Sequence, residues 1–214
     1  MLAHLKAVLK HNQKKNLTSI TDLDAGKVFH IEDSLAVVAE IQGALEGRMA
    51  DLGSGAGYPG IPLALVSGRP TTLIESNKKK AQFLQAFLDE HQLLGQIQVA
   101  AVRSEELAQE QTEQFAVVTA RAVAEVSVLL ELAAPLLMTK GQAVILKGRP
   151  NPEELERGAK AANMLNMRLR YTRDYSLLYN EEEHQRLVLV YEKIGQTTIS
   201  LPRRPGMATK HPLV

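Results

Sequence analysis

A chain of 214 residues with 45% apolar content is long enough for one domain around a real core, and disorder is not its default. It has no cysteine, which excludes disulfides, thiolate catalysis and cysteine-ligated zinc; it has no run of eighteen apolar residues, no signal-peptide pattern and no lipidation motif, so a cytoplasmic location is expected. The net charge of +1 hides basic ends (+8 over residues 1–21 and the stretch after Glu192) on an acidic body (−7), which suits a polyanionic partner reached from outside a ligand cleft or merely serves solubility.

Leu2, Leu5, Val8 and Leu9 recur at helical spacing with lysines opposite, predicting an amphipathic helix over residues 1–15 at the domain edge. Residues 16–22 read as a turn that can cap a helix starting at Asp24 or Ala25, with Gly26 against it. Ile31, Leu35, Val38, Ile41 and Leu45 predict one helix from His30 to about residue 45, ended by Gly47. From Arg48 onward strands and helices alternate. The predicted strands are 49–52, 71–75, 97–102, 115–120 and 143–146. The predicted helices are 61–67, 78–94 (capped by Asn77), 125–137 and 152–165, the last opening on Pro152 and two acids. Residues 104–114 read as loop or short helix, and runs 168–175 and 186–192 as two strands that pair. Strand–helix alternation argues for an α/β fold with a parallel sheet covered on both faces.

Between the first strand and its helix lies Asp51-Leu52-Gly53-Ser54-Gly55-Ala56-Gly57-Tyr58-Pro59-Gly60. Gly55, Gly57 and Gly60 satisfy G-x-G-x-x-G, and Glu75 follows about twenty residues on, where a carboxylate can accept both hydroxyls of a ribose. Residues without Cβ let backbone N–H groups close on a ligand and take φ > 0. A tight turn with no ligand is the plain alternative. Asp51 favours S-adenosylmethionine (AdoMet) over a nicotinamide dinucleotide, because a carboxylate repels pyrophosphate and attracts a sulfonium and an ammonium.

Ligands of such sheets bind beyond the carboxyl ends of the strands, which also gathers residues 103–105, 119–121 and Lys147 at that edge. Ser104 and Glu105 fall where an adenine would lie. Arg121, directly after an apolar strand, needs an anionic partner: the AdoMet carboxylate, the substrate backbone or a neighbouring acid. Lys147 faces substrate phosphate or solvent. Thr119-Ala120-Arg121-Ala122 lacks the acid or amide, paired prolines and aromatic that hold an exocyclic amine. A nucleophile with an in-plane lone pair, such as guanine N7, needs no base, only alignment. Lys78, Lys79 and Lys80 oppose a helix macrodipole, which suits phosphate contact or a solvated face. His30, Asp33 and Asn16 could form a polar cluster over the cleft, and Tyr58 is the nearest ring for stacking a target base. The six histidines show no H-x-x-x-H spacing, so no metal site is expected.

These stretches, with Asn16-Leu17-Thr18, His30-Ile31 before Asp33-Ser34-Leu35, Arg103-Ser104-Glu105-Glu106, Arg121-Ala122 and Lys147-Gly148 in this order, make a chain that resembles the bacterial 16S ribosomal RNA guanine-N7 methyltransferases, the glucose-inhibited division protein B family. Pro202-Arg203-Arg204-Pro205-Gly206 and Lys210 are similar to the basic tail of many members. The resemblance implies a Rossmann-like seven-stranded class I AdoMet-dependent methyltransferase, acting on N7 of one guanine in a decoding-region loop. It places cofactor contacts at Gly53, Tyr58, Ser104, Glu105 and Arg121, beside the Asp51, Gly55, Gly57 and Glu75 read from the turn. It puts Asn16, His30 and Asp33 near the substrate pocket, with Arg121, His30 and Asp33 as candidates for the chemistry. RNA contacts are expected at Asn16, Lys78, Lys79, Lys80, Lys147, Arg203, Arg204 and Lys210. The expected partner is 16S rRNA or the small subunit, with no membrane, no metal and a monomeric protein. The expected organisation is an N-terminal helical cap at 1–47, the methyltransferase domain at 48–193 and a basic C-terminal tail at 194–214. Only fifteen residues precede Asn16, fewer than members usually have, so a thinner cap is expected. The rivals are a small-molecule methyltransferase of the same fold and a non-catalytic ribosome-binding factor.

Overall fold

Apolar residues two apart along each strand divide the protein into two cores, one on either face of a seven-stranded sheet. The computed structural model describes residues 1–13, 16–121 and 124–214. The strands are β1 (Met49–Leu52), β2 (Thr71–Ile74), β3 (Ile97–Ala100), β4 (Phe115–Arg121), β5 (Leu137–Lys147), β6 (Met167–Tyr179) and β7 (Glu182–Lys193), in the spatial order β3-β2-β1-β4-β5-β7-β6. The first five are parallel; β7 runs antiparallel to β5 and to β6. The order reverses between β1 and β4, and a ligand crevice opens at such a switch point, at the carboxyl ends of those strands.

On one face Met49, Leu73, Ile97, Val117 and Val144 meet α1 (Leu2–Asn12), α4 (Val38–Gly43), α5 (Gly60–Ser67) and α6 (Lys78–Glu90) through Val8, Ile41, Ile61, Leu84 and Phe87. On the other, Ala50, Leu52, Val118 and Ile145 meet α7 (Ser104–Glu110), α8 (Val126–Ala133) and α9 (Pro152–Met164). The first face carries the N-terminal segment within its core. The second carries the C-terminal segment, whose Ile199, Leu201, Leu213 and Val214 pack against it, with the short α10 (Met207–Lys210) beyond. No helix among the described residues is long and apolar enough to cross a membrane.

One expectation is corrected here. The single helix from His30 to residue 45 is instead α2 (Leu23–Gly26), a π-helical turn Lys27–Glu32, α3 (Asp33–Leu35), a break, and α4. Leu45 is exposed, so the apolar stripe does not run to its end. Arg203, expected among the RNA contacts, is held within the chain: it makes a bidentate pair with the buried Glu131, at 2.7 Å on both arms, and also donates to the His211 carbonyl.

Candidate active site at the carboxyl edge of the sheet

Beyond Leu52 the chain turns on three glycines in the left-handed region, Gly53 (φ 64), Gly55 (φ 58) and Gly57 (φ 98), before α5 begins at Gly60. The turn is pinned internally by Gly57 N–H donating to the Ser54 carbonyl at 2.7 Å, and to the sheet by Ser54 N–H donating to the Ile74 carbonyl at 3.0 Å. The glycines do different jobs. A Cβ at Gly60 would lie 2.4 Å from the Leu73 side chain and 2.7 Å from Asp51 Oδ2, so its absence lets α5 close on the sheet. A Cβ at Gly57 would strike Ile61 and His4. A Cβ at Gly55 would meet only the Gly53 carbonyl oxygen at 3.8 Å, so the cradle in front of it is open.

Glu75, nearly buried just past β2, accepts from Gly55 N–H at 2.8 Å through Oε2 and from Asn77 N–H at 2.7 Å through Oε1. Each oxygen keeps a lone pair for a further donor. Asp51, expected beside a cationic ligand, is tied into the turn and the sheet. It is fully buried, its Oδ2 accepts from Gly60 N–H at 3.1 Å and its Oδ1 from the Thr119 hydroxyl at 2.9 Å. Burial pushes its carboxyl up from 3.8 to about 6, against the pull of those hydrogen bonds. It braces the turn from within the fold.

Arg121, the last residue of β4, donates through Nη1 to the Phe29 carbonyl and to Asp33 Oδ2, both at 2.8 Å, and through Nη2 to His30 Nδ1 at 3.2 Å. Of the anionic partners foreseen for Arg121, the neighbouring acid is supplied by the chain itself as Asp33. A guanidinium only donates, so His30 Nδ1 must accept; Nε2 then carries the proton and donates to the Thr18 hydroxyl at 3.0 Å. Burial, then repulsion from Arg121, lowers the imidazole from 6.5 to about 4, keeping it neutral at physiological pH. Asp33 Oδ1 accepts from the Tyr175 hydroxyl at 2.7 Å and lies 3.5 Å from Arg186 Nε. A cavity of about 520 Å³ opens on this cluster, lined among others by Thr18, His30, Asp33, Arg121 and Arg186.

The remaining expected residues divide by environment. Ser104 and Glu105 are buried at the start of α7, where Glu105 accepts from Ser104 Oγ and from Gly206 N–H of the C-terminal segment at 2.7 Å. Lys147 is not a free cation: it pairs with Glu154 at 2.7 Å and donates to the Ala124 carbonyl at 3.0 Å. Tyr58 is no platform for a base, being 4% exposed with His30 stacked on one face (4.4 Å, 6°) and His4 tilted against it at 4.6 Å. Lys78, Lys79, Arg204 and Lys210 are exposed, Lys80 half-buried. Asn16 is exposed, and the loop it belongs to is braced by Asn12, whose Oδ1 accepts from Leu17 and Thr18 N–H.

Sequence reasoning missed Thr18, Tyr175 and Arg186. The last two were within reach, since the final two strands were expected to pair and Tyr175 lies opposite Arg186 in that register. It also missed His4, which no spacing rule marks out.

A family model described as rRNA small subunit methyltransferase G, GidB, matches residues 1–177. The ribosomal RNA small subunit methyltransferase G of Carboxydothermus hydrogenoformans is 39% identical over 213 residues, covering 98% of this chain and 89% of the relative. That of Lysinibacillus sphaericus is 36% identical, over 98% of this chain and 88% of its own. Among solved structures, a putative sarcosine dimethylglycine methyltransferase from Galdieria sulphuraria superposes with a TM-score of 0.62 at 10% identity, over 88% of this chain and 98% of that one. A geranyl diphosphate methyltransferase in complex with GPP and sinefungin gives 0.59 at 10% identity, over 76% and 77%. At such identities these two show the fold alone.

Proposed function

The chain belongs to the GidB family of small-subunit ribosomal RNA methyltransferases, and from that premise we propose that it transfers a methyl group from AdoMet to N7 of one guanine in a decoding-region loop of 16S rRNA. The observation supporting N7 is that the pocket's buried acid and buried imidazole, Asp33 and His30, are already engaged, while His184 on the same wall meets Phe29 edge-on at 4.8 Å. The Asp33 carboxylate is held by Arg121 and Tyr175, and both His30 nitrogens are in hydrogen bonds. A site whose buried acid and imidazole are both occupied suits a nucleophile whose lone pair lies in the ring plane and needs no deprotonation; what remains is alignment.

The open cradle at Gly55 and the spare lone pairs of Glu75 fit a nucleoside ligand, so Gly53, Gly55 and Glu75 would hold AdoMet, with Ser104 and Glu105 toward its adenine. When bound, AdoMet supplies an electrophilic methyl group on a sulfonium. Arg121 and Arg186 give the substrate side two guanidinium groups, suited to phosphate. Lys78, Lys79, Arg204 and Lys210 are the exposed cations through which longer RNA would be gripped. We read the working unit as a monomer, acting in the cytoplasm where ribosomes assemble.

The test is incubation with methyl-labelled AdoMet and either naked 16S rRNA or small subunits, followed by reduction and strand scission at N7-methylated guanine. One cut in the decoding region, with transfer falling steeply as salt rises, is the expected result. Label carried by a free metabolite, insensitive to salt, would establish the small-molecule rival.

A further inference from the structure

We propose that His4, on the N-terminal helix, is a positioning residue for the cofactor turn, so that α1 forms part of the AdoMet site. The inference rests on the reading of that turn as the AdoMet cradle. His4 is 1% exposed and shares the buried stripe of α1 with Leu5 and Val8. Its Nε2 donates to the Ala56 carbonyl at 2.8 Å, across 52 residues of sequence. Ala56 lies between Gly55 and Gly57, two of the three left-handed glycines of the turn. Gly57 lies directly on the imidazole: a Cβ there would be 2.9 Å from Cε1 and 3.0 Å from Nε2. Tyr58, the next residue, is clasped between His4 and His30, and His4 is backed in turn by Phe87 of α6 at 4.8 Å. Three consecutive residues of the turn are thus held from one side by one side chain.

Packing alone does not account for a histidine here. A carbonyl only accepts, so Nε2 carries the proton and Nδ1 is left as a buried acceptor, for which no partner is present among the described residues. Burial lowers the ring from 6.5 to about 3, so it stays neutral. A phenyl ring would fill this space with no unpaired nitrogen. What it could not do is hold the Ala56 carbonyl, and that bond sets how the backbone of residues 55–57 faces the cradle.

The experiment compares His4→Phe, which keeps the ring and loses the donor, with His4→Gln, whose amide nitrogen reaches about as far as Nε2. Steady-state kinetics with AdoMet and RNA varied separately are combined with calorimetric binding of S-adenosylhomocysteine and thermal unfolding. For His4→Phe we expect a melting temperature at or above the parent's. KM for AdoMet and Kd for S-adenosylhomocysteine should rise about five-fold, as for one lost neutral hydrogen bond, with KM for RNA within two-fold. His4→Gln should recover most of the loss. Unchanged cofactor parameters in a folded His4→Phe protein overturn the proposal, as does a loss of affinity that follows loss of stability in both variants. Failure of the parent protein to bind either nucleoside overturns the reading of the turn itself, and the proposal with it.

Discussion

The glycine turn and the arginine cluster sit at the same edge of the sheet but are built in opposite ways. The turn lies within ten consecutive residues, 51–60, and its shape comes from backbone hydrogen bonds and left-handed glycines. The cluster joins Thr18, Phe29, His30 and Asp33 to Arg121, Tyr175 and Arg186, and it is made almost wholly of side chains. Their buried carboxylates show the contrast. Asp51 accepts from an N–H and a hydroxyl, and burial outweighs those bonds to raise its pKa. Asp33 sits among two guanidinium groups and a phenol. One acid is part of a scaffold; the other belongs to a charged network that shapes a pocket.

The comparison can be broken most forcefully at the glycines. Gly60→Val places carbon against Leu73 and Asp51 and breaks the closure of α5; we expect a loss of about 3 kcal/mol or more in urea denaturation. Gly55→Ala should cost only about 1 kcal/mol for the left-handed backbone, yet weaken AdoMet at least about ten-fold because its methyl group enters the open cradle. If the two variants exchange phenotypes, the division of labour within the motif is wrong.

Next in size is Arg121→Ala. It strips Asp33 of its shortest cationic partner while leaving Tyr175 and Arg186, so we expect about 2 kcal/mol of destabilisation together with loss of methyl transfer. Arg121→Lys should not restore transfer, since one ammonium cannot serve Phe29, Asp33 and His30 together. Wild-type turnover in either variant would remove Arg121 from the site.

The smallest effect on binding is expected at Asp51→Asn, with AdoMet affinity within about two-fold of the parent, because the side chain does not reach the cleft. Its signature lies in pH. The folded chain holds the Asp51 proton up to about pH 6 and the unfolded chain only to about 3.8, so stability from this group falls as pH rises between those values. His4 and His30 act in the opposite sense: the unfolded chain takes up their protons below 6.5, the folded chain only near 3 and 4, so stability falls as pH drops. Asp51→Asn should therefore leave a steeper climb in melting temperature from pH 4 to 6, and a value at pH 8 equal to the parent's or higher. A flat profile, or a large loss of AdoMet affinity, would reinstate Asp51 as a charge facing the ligand.

Legibility followed the range of the interactions. The strand-turn-helix of residues 49–67 was readable because period-two and helical patterns, with glycines between, are local signals. Asn77 was readable as a cap for the same reason, and its side chain accepts from Lys79 and Lys80 N–H. For Asp51, sequence shows that a carboxylate stands beside the turn, not that its oxygens accept from Gly60 N–H and the Thr119 hydroxyl. Lys147 and Arg203 were read as free cations because their partners, Glu154 and Glu131, arrive from other elements. The π-helical turn over Lys27–Glu32 left no mark in the apolar spacing.

What the chain's order of residues determined alone is the alternation of strands and helices, the position of the turn at the exit of β1 and the family to which the whole belongs. Each depends on periodicity or on contiguous motif, which survive in one dimension. What only the tertiary structure decided is which charges are free, which are consumed, and that a histidine four residues from the start rests beneath the turn. Those outcomes depend on burial and on partners dozens of residues away, and desolvation makes an ionisable side chain's role a property of its surroundings.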